Sequence, residues 1–250
     1  MKEVLGCIRR ADKDFHMIAP GDTVAVGVSG GKDSLMLLYA LALYRRFCPN
    51  KYNLVAVTLT MGIGNADWTP VQRLCDALEV PYTLRATEIG KVIFEERKEK
   101  NPCSLCAKMR RGALIDLCKE LGANKLALGH HRDDALETFL LSLLYEGRIH
   151  TFHPVTYLSR SGVTQIRPMA YLSEKHIIHM VKQLNLPVIQ SDCPANGHTK
   201  REDMTELLNH ITRTIPNARE LMLSALQNDK QYSLWEKPKF DEDEKNAPNA

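Results

Sequence analysis

The sequence predicts an α/β fold of Rossmann-like type, in which helices cover a parallel sheet, with a small helical extension at the C-terminus. Residues 23–28 form a nearly continuous apolar run, as in a strand buried on both faces, and a helical pattern follows at once. The alternation returns at 54–59 and at 125–128, each run being followed by a helical pattern. Strands that alternate with helices are typical of parallel sheets, because the helix is the crossover between neighbouring strands.

Further elements follow the second of these strands. Thr69 is suited to cap a helix and Pro70 to occupy its first position. A strand is predicted at 82–86, and a long helix at 102–121 ends before a glycine that can close it.

The second half of the chain contains three further predicted elements before its polar end. A helix is expected to begin near Asp134, whose carboxylate can cap it while Glu137 completes a capping box. A strand at 165–167 and a helix capped by Ser173 come next. From about 201 to 226 the pattern is helical and polar, which predicts the C-terminal appendage.

Composition limits the class of protein. The 250 residues, 44% hydrophobic and 25% charged, suit one main domain at 1–190, a helical appendage at 191–240 and a disordered polar tail at 241–250. A net charge of +3 is too small to indicate a nucleic-acid partner by itself. No stretch approaches the roughly 20 apolar residues that span a bilayer, and the first residues lack an apolar signal core. We therefore expect a cytoplasmic protein with no membrane partner.

The run Ser29-Gly30-Gly31-Lys32-Asp33-Ser34 lies between the first predicted strand and its helix. Backbone N–H groups and the helix dipole favour an anion at such a junction, and the glycines let the main chain approach phosphate oxygens. The lysine adds a positive charge. The spacing is not that of a Walker loop, because only three residues separate Gly27 from Gly31 and an aspartate follows the lysine. A plain glycine turn capped by Ser or Asp is the alternative.

The chain contains seven cysteines, an odd number that argues against a disulfide framework in a reducing compartment. Cys103 and Cys106 are three residues apart at the start of a predicted helix, so both thiols lie on one face. The helix dipole and the nearby lysine and arginines are expected to lower the pKa of both thiols. Two half-buried thiols and a redox pair are the alternatives, and Cys193 is isolated in sequence.

Two sets of motifs resemble a known superfamily. The run at 29–34, placed after a first strand, is similar to the signature of the PP-loop ATP pyrophosphatases. The segments 102–112 and 129–134, PCSLCAKMRRG and GHHRDD, resemble its tRNA 2-thiocytidine synthetase branch. The likeness extends over about 14–201.

The resemblance implies that the loop holds the pyrophosphate half of ATP while a substrate oxygen attacks the α-phosphate to form an adenylate. It implies that Lys32 and Asp33 are catalytic, with Asp33 near bound Mg²⁺, and that Gly129 and His130 border the nucleotide. The expected reaction replaces a base oxygen, at C2 of a tRNA cytidine, by sulfur and yields AMP and pyrophosphate.

The resemblance also implies a metal centre. Cys103 and Cys106, counted among the catalytic residues, would hold a [4Fe-4S] cluster together with Cys193. An iron without a protein ligand would then accept sulfide for delivery. Structural zinc held by the three thiols and His198 is the alternative, although a closed tetrahedral site leaves no position for sulfur.

The resemblance further implies contact with tRNA. Basic side chains expected to contact RNA phosphates are Arg110, Arg111, Lys200 and Arg201, with ordinary surface charge as the alternative. Expected partners are tRNA and a sulfur donor such as a cysteine desulfurase or free sulfide, and a homodimer is considered.

The chain departs from the family pattern in two segments. An aspartate is common after the second strand, but 58–64 reads TLTMGIG, and 193–201 reads CPANGHTKR in place of a Cys-Gly-Ser sequence. Both segments are expected near the acceptor pocket. Two other functions therefore stay open: sulfur transfer to another nucleoside or small molecule, and a non-catalytic protein that binds nucleotide, metal and RNA or acts as a sensor.

Overall fold

The computed structural model describes residues 1–97, 102–190, 193 and 200–228. Its strands are β1 (Thr23–Gly27), β2 (Asn53–Leu59), β3 (Tyr82–Arg85), β4 (Lys125–Ala127), β5 (Val155–Leu158) and β6 (Val163–Ile166). They form one six-stranded sheet in the order β3-β2-β1-β4-β6-β5. All neighbours are parallel except β5, which runs antiparallel to β6 at one edge. The predicted α/β class is confirmed, whereas the antiparallel edge strand was not predicted.

Helices connect and cover the strands. They are α1 (Lys2–Phe15), α2 (Lys32–Phe47), α3 (Thr69–Ala77), α4 (Ile89–Lys91), α5 (Pro102–Glu120), α6 (Arg132–Glu146), α7 (Glu174–Gln183), α8 (Lys200–Thr214) and α9 (Ala218–Gln227). A π-helical turn, Val92–Glu96, follows α4. Where one C-terminal helical run was predicted, the chain forms the two helices α8 and α9. The predicted tail at 241–250 lies outside the described residues. None of the described helices combines the length and apolar character needed to cross a bilayer.

Side chains of β1 alternate between the two faces of the sheet. Val24 and Val26 are fully buried on one face, in a cluster with side chains of α1, α2, α3 and α7. Ala25 is buried on the other face, in a cluster with Leu117 of α5. Because helices cover both faces, a central strand is apolar along its whole length, which explains the continuous apolar run.

The N-terminal segment, for which no element was predicted, forms a helix. α1 buries Val4 and Ile8 against the sheet side of the protein and also buries the carboxylate of Asp12. Asp12 accepts hydrogen bonds from the Ile18 N–H at 2.9 Å and from the Tyr44 hydroxyl at 2.8 Å. Burial, followed by the bonds to its neighbours, raises the pKa of Tyr44. The buried carboxylate therefore ties α1 to α2 and to the segment that enters β1.

Two predicted helix starts are wrong in detail. Trp68, not Thr69, is the N-cap of α3, and no side chain caps this helix. His131 is the N-cap of α6: its Nδ1 accepts from the Asp134 N–H, and the Asp134 carboxylate accepts from the His131 N–H at 2.9 Å. Asp134 therefore completes the capping box from the third helical position, because an imidazole nitrogen replaces the usual oxygen acceptor. The cap assigned to Ser173 is present, since its side chain accepts from the His176 N–H.

The C-terminal helices pack on α6. Leu136 and Leu140 of α6 form a buried cluster with Met204 and Leu208 of α8. Glu137, predicted to complete the α6 capping box, instead turns toward α8 and accepts a hydrogen bond from the Thr205 hydroxyl at 2.8 Å.

The buried carboxylate of Asp133 connects the start of α6 with α7 and α9. Asp133 accepts a hydrogen bond from the Glu174 N–H at 2.8 Å and forms an ion pair with Arg219 of α9. Burial would raise the pKa of Asp133, but the Glu174 N–H and the guanidinium groups of Arg132 and Arg219 lower it below its ordinary value. The starts of α6 and α7 are therefore fixed relative to α9.

Candidate active site

The phosphate loop lies where the order of the sheet reverses. β1 pairs with β2 on one side and with β4 on the other, so that Val26 is aligned with Ala56 and Ala127. In open α/β sheets ligands bind beyond the carboxyl ends of the strands at such a point. Gly129, just after β4, approaches α2 so closely that a Cβ there would lie 3.0 Å from the Ser34 nitrogen. A side chain at this position would therefore press against the backbone of α2.

Serine side chains hold the phosphate loop in shape. The Ser34 hydroxyl accepts from the Ser29 N–H at 3.1 Å and donates to the Gly31 carbonyl at 2.9 Å. Gly30 has a φ of +81°, and its carbonyl accepts from the Ile189 N–H at 3.0 Å. Gly31 is the N-cap of α2, and no side chain caps the helix. Its first N–H groups are therefore available to an anion.

The first of two adjoining pockets, the nucleotide pocket, has a volume of about 270 Å³. Ser29, Asp33 and Ser34 form its polar wall, whereas Val57 and Leu114 contribute to an apolar wall. A polar end beside a phosphate loop and an apolar remainder suit a nucleotide, whose phosphates and base differ in the same way.

Lys32 does not line the nucleotide pocket in this structure. Its ammonium lies 3.0 Å from Asp33 Oδ2 and 2.9 Å from Glu174 Oε1. Burial would lower the pKa of Lys32, but the two carboxylates raise it above its ordinary value, so the side chain is charged. Glu174, which the sequence analysis did not single out, is the first residue of α7.

Asp33 faces the pocket with one oxygen that has no partner. Its Oδ1 is buried without a hydrogen bond and lies 3.6 Å from Nε2 of His131. Carboxylate oxygens are preferred ligands of Mg²⁺, which commonly bridges a carboxylate and substrate phosphates. The position of Asp33 in the first turn of α2 therefore fits a metal that accompanies ATP.

His130 closes the nucleotide pocket on the side of β4. Burial lowers the pKa of His130 to about 4, so the imidazole is neutral at neutral pH. Its Nδ1 is buried without a hydrogen-bond partner. The imidazole ring packs against the Phe152 ring with centroids 5.2 Å apart. The Arg167 guanidinium lies 4.8 Å from the centroid of the same Phe152 ring. The Nδ1 atom of this neutral imidazole, which has no hydrogen-bond partner, can form a hydrogen bond with a nucleotide.

The second pocket adjoins the first and has a volume of about 510 Å³. Residues 60–64 line it, together with Trp68, Phe94 and Cys193. The two pockets share Ser29, Leu59 and Arg110. Part of the first segment that departs from the family pattern therefore lies in the same pocket as a cysteine predicted to bind metal.

Two of the predicted metal-binding cysteines, Cys103 and Cys193, lie within electrostatic range of the third, Cys106. Cys103 is exposed, and Cys106 and Cys193 are half-buried. Burial raises the pKa of Cys106; Arg110 lowers it, and the neighbouring Cys193 and Cys103 raise it again. The expectation that cations lower this pKa below its ordinary value is wrong, because burial outweighs them.

The donor set fits a soft metal centre. Among the described residues no three His, Cys, Asp or Glu side chains are already arranged as a metal site. Cys106 and its neighbours Cys103 and Cys193 nonetheless supply three thiols, and thiolates are the ligands of iron–sulfur clusters. The remaining zinc ligand of the alternative, His198, lies outside the described residues.

Comparison with known proteins identifies the family. A family model described as a PP-loop domain matches residues 7–209. The chain is 41% identical over 224 residues to the tRNA-cytidine(32) 2-sulfurtransferase of Pelobacter propionicus, covering 88% of this chain and 83% of that protein. It is 36% identical over 230 residues to the enzyme of the same name from Geobacter sulfurreducens, with coverage of 91% and 90%. The chain belongs to the PP-loop family, in its tRNA-cytidine(32) 2-sulfurtransferase branch.

The fold of this PP-loop protein is also that of a solved thiolase. The U34-tRNA thiolase NcsA from Methanococcus maripaludis, solved with its [4Fe-4S] cluster, superimposes with a TM-score of 0.72. The two chains share 23% sequence identity, and the match covers 89% of this chain and 77% of NcsA. At this level of identity the likeness supports the fold alone.

The four basic residues predicted to contact RNA have different environments in this PP-loop protein. Arg110 lines both pockets, whereas the neighbouring Arg111 is exposed on α5. Lys200 lies 4.3 Å over the ring of Tyr145. Arg201 lies 3.0 Å from Asp134 Oδ1 and also pairs with Glu137, so it joins α8 to the capping box of α6. Contact with RNA stays a prediction for all four.

Sequence reasoning missed several residues of the site. Glu174 and Phe152 contact Lys32 and His130, respectively, from distant parts of the chain. Trp68 and Phe94, which the sequence analysis did not single out, line the second pocket. One signal was available: α7 follows a predicted strand of a parallel sheet, so its first turn had to lie at the edge of the sheet that also carries the phosphate loop.

Proposed function

We propose that this chain is an ATP-dependent tRNA sulfurtransferase that replaces the C2 oxygen of a cytidine by sulfur. Its relatives at 36–41% identity bear the name tRNA-cytidine(32) 2-sulfurtransferase. The observation that carries the proposal is the shared wall of the two pockets, with the phosphate loop in one and Cys193 in the other. An adenylated base bound at that wall would lie between the phosphate loop, where ATP activates it, and the cysteines proposed to hold the cluster that delivers sulfide.

The phosphate side performs the first half of the reaction. N–H groups at the start of α2 bind the pyrophosphate half of ATP, and Lys32 leaves its carboxylates to neutralise phosphate charge. Asp33 would hold Mg²⁺, which supplies charge neutralisation at the phosphates. The base oxygen attacks the α-phosphorus, the bond to the β-phosphate oxygen breaks, and pyrophosphate leaves. His130, neutral and without a partner at Nδ1, is placed to orient the nucleotide.

The second half of the reaction exchanges the activated oxygen. Sulfide from the donor attacks C2, the C2–O bond breaks with its electron pair going to AMP, and a C=S bond replaces C=O. Cys103, Cys106 and Cys193 would hold a [4Fe-4S] cluster, which supplies a binding position for the incoming sulfide. This step would take place in the pocket lined by 60–64, Trp68 and Phe94.

Nucleoside mass spectrometry tests the proposal. Bulk tRNA from a strain lacking the gene should lose 2-thiocytidine, and the wild-type gene should restore it, whereas Lys32→Ala should not. Loss of a different thiolated nucleoside would retain sulfur transfer and correct the acceptor. An unchanged set of thiolated nucleosides would contradict the proposal.

A further inference from the structure

Arg110 connects the two pockets. Among the described residues it is the one lysine or arginine that lines either of them, and it lines both. It is half-buried on α5, one helical turn after Cys106. Its side chain therefore lies between the phosphate loop and the predicted metal-binding thiols.

Two other cations near the site are already paired with carboxylates. Lys32 lies between Asp33 and Glu174, and Arg201 pairs with Asp134. Within the described part of the chain, Arg110 has no carboxylate within 4.0 Å. A charged side chain left without a counter-ion in a pocket is suited to an anionic ligand.

The contact of Arg110 inside the protein uses only part of its hydrogen-bonding capacity. Its guanidinium lies near the Cys106 thiol and, by its charge, opposes the effect of burial on the pKa of that thiol. A guanidinium carries five N–H donors in a rigid planar fork, so most of them remain for another acceptor. Phosphate is the acceptor that this geometry matches best, and the phosphate loop forms the facing wall of the same pocket.

We infer that Arg110 binds the phosphate of the adenylate and of the departing AMP while it holds Cys106. The inference rests on the proposed function for the identity of that phosphate. When sulfide breaks the C2–O bond, the electron pair moves to the AMP phosphate, and the guanidinium stabilises the charge that develops there. One side chain thus places the leaving group beside the thiols.

AMP binding tests this role without tRNA or a sulfur donor. Calorimetric titration of the anaerobically purified full chain with AMP should give roughly tenfold weaker binding, or worse, for Arg110→Ala, the loss expected for a charge-assisted hydrogen bond. Arg110→Lys should fall between the two, because an ammonium keeps the charge but lacks the fork. Lys119→Ala removes an exposed cation of the same helix that lines neither pocket, and this variant should bind AMP as the wild type does.

Iron content and thermal unfolding, measured on the same samples, separate this role from a structural one. The inference requires AMP affinity to fall in Arg110→Ala and Arg110→Lys while both variants stay folded. Unchanged AMP affinity with loss of iron would overturn it, because Arg110 would then serve only Cys106. An equal loss of AMP affinity in Lys119→Ala would overturn it, because the effect would then be a general one of charge. If Arg110 matters for AMP but tRNA from the deletion strain keeps all its thiolated bases, the proposed function fails and the phosphate contact stands.

Discussion

The two sides of the active site are held in different ways. On the phosphate side, Ser29 and Ser34 bond to each other and to the main chain, and Lys32 is fixed between two carboxylates. On the thiol side, Cys103 is exposed, and the described residues contain no ready-made metal site. The phosphate side is therefore preorganised by the protein, whereas we expect the thiol side to take its final geometry from the cluster proposed to bind there.

The largest effect is expected on the thiol side, where the proposed cluster is expected to fix the geometry of the cysteines. Replacing any one of Cys103, Cys106 or Cys193 by Ser should remove the iron and abolish thiolation, because each thiolate is one of the three ligands proposed for the cluster. Anaerobically purified wild type should contain about four irons per chain, the composition of a cubane cluster. Iron analysis measures the iron content of the wild type and of each variant, and absorption spectroscopy detects the cluster.

Cys118→Ser is the matched control for these variants. Cys118 lies on the same helix as Cys103 and Cys106 but is fully buried in the core, where burial raises its pKa to about 11. This variant should keep its iron even if its thermal stability falls. A colourless, active wild type with one zinc would refute the cluster and favour a closed structural site.

Lys32→Ala tests the preorganised side. Adenylation, followed as ATP–pyrophosphate exchange, should fall roughly 100-fold or more, as when one preorganised electrostatic contact is removed. The loop should keep its shape, because the serine bonds do not involve Lys32. Thermal unfolding should stay close to that of the wild type, and iron content should be unchanged. Formation of ADP instead of AMP by the wild type would contradict the pyrophosphate chemistry altogether.

The sequence predicts a side of the active site well when the residues that determine it are adjacent in the chain. The phosphate loop was predictable because its determinants, two glycines and the junction of strand and helix, are adjacent in sequence. The α6 cap was misassigned because histidine is not among the common N-cap residues, so Asp134 took its place in the prediction. α1 was missed because its buried Asp12 reads as a solvent-facing charge until the bonds to Ile18 and Tyr44 are known.

Contacts across the sheet were beyond local patterns. The Lys32–Glu174 pair depends on which strand lies beside β4, and no periodicity in the sequence gives strand order. β5 was missed because its four residues are only partly buried or exposed and lack the apolar run of a central strand. The wrong direction for the pKa of Cys106 has the same origin, since burial is a tertiary property.

Glu174→Gln sharpens the comparison by loosening the preorganised side. The phosphates of ATP compete with Glu174 for the Lys32 ammonium, which lies 2.9 Å from the carboxylate. Removing the negative charge should therefore tighten ATP binding several-fold, because the nucleotide no longer displaces an ion pair. Equilibrium titration with a non-hydrolysable ATP analogue measures this. Weaker binding in the variant would show instead that Glu174 orients Lys32 toward the phosphates.

The smallest expected effect is the pH dependence that His130 adds to stability. Burial lowers its pKa from 6.5 to about 4 in the folded protein, with Arg167 contributing in the same direction. The unfolded chain therefore binds the proton more readily between these values, so the contribution of the neutral ring is full above pH 6.5 and is lost as the pH falls toward 4. His130→Gln should flatten the decline in the free energy of unfolding between pH 6.5 and 5, measured by urea denaturation. His179→Gln, an exposed histidine on α7, should leave that decline unchanged. Equal slopes for the wild type and His130→Gln would mean that the ring is protonated or solvated at the pocket wall, and a neutral Nδ1 could no longer be assigned to the nucleotide.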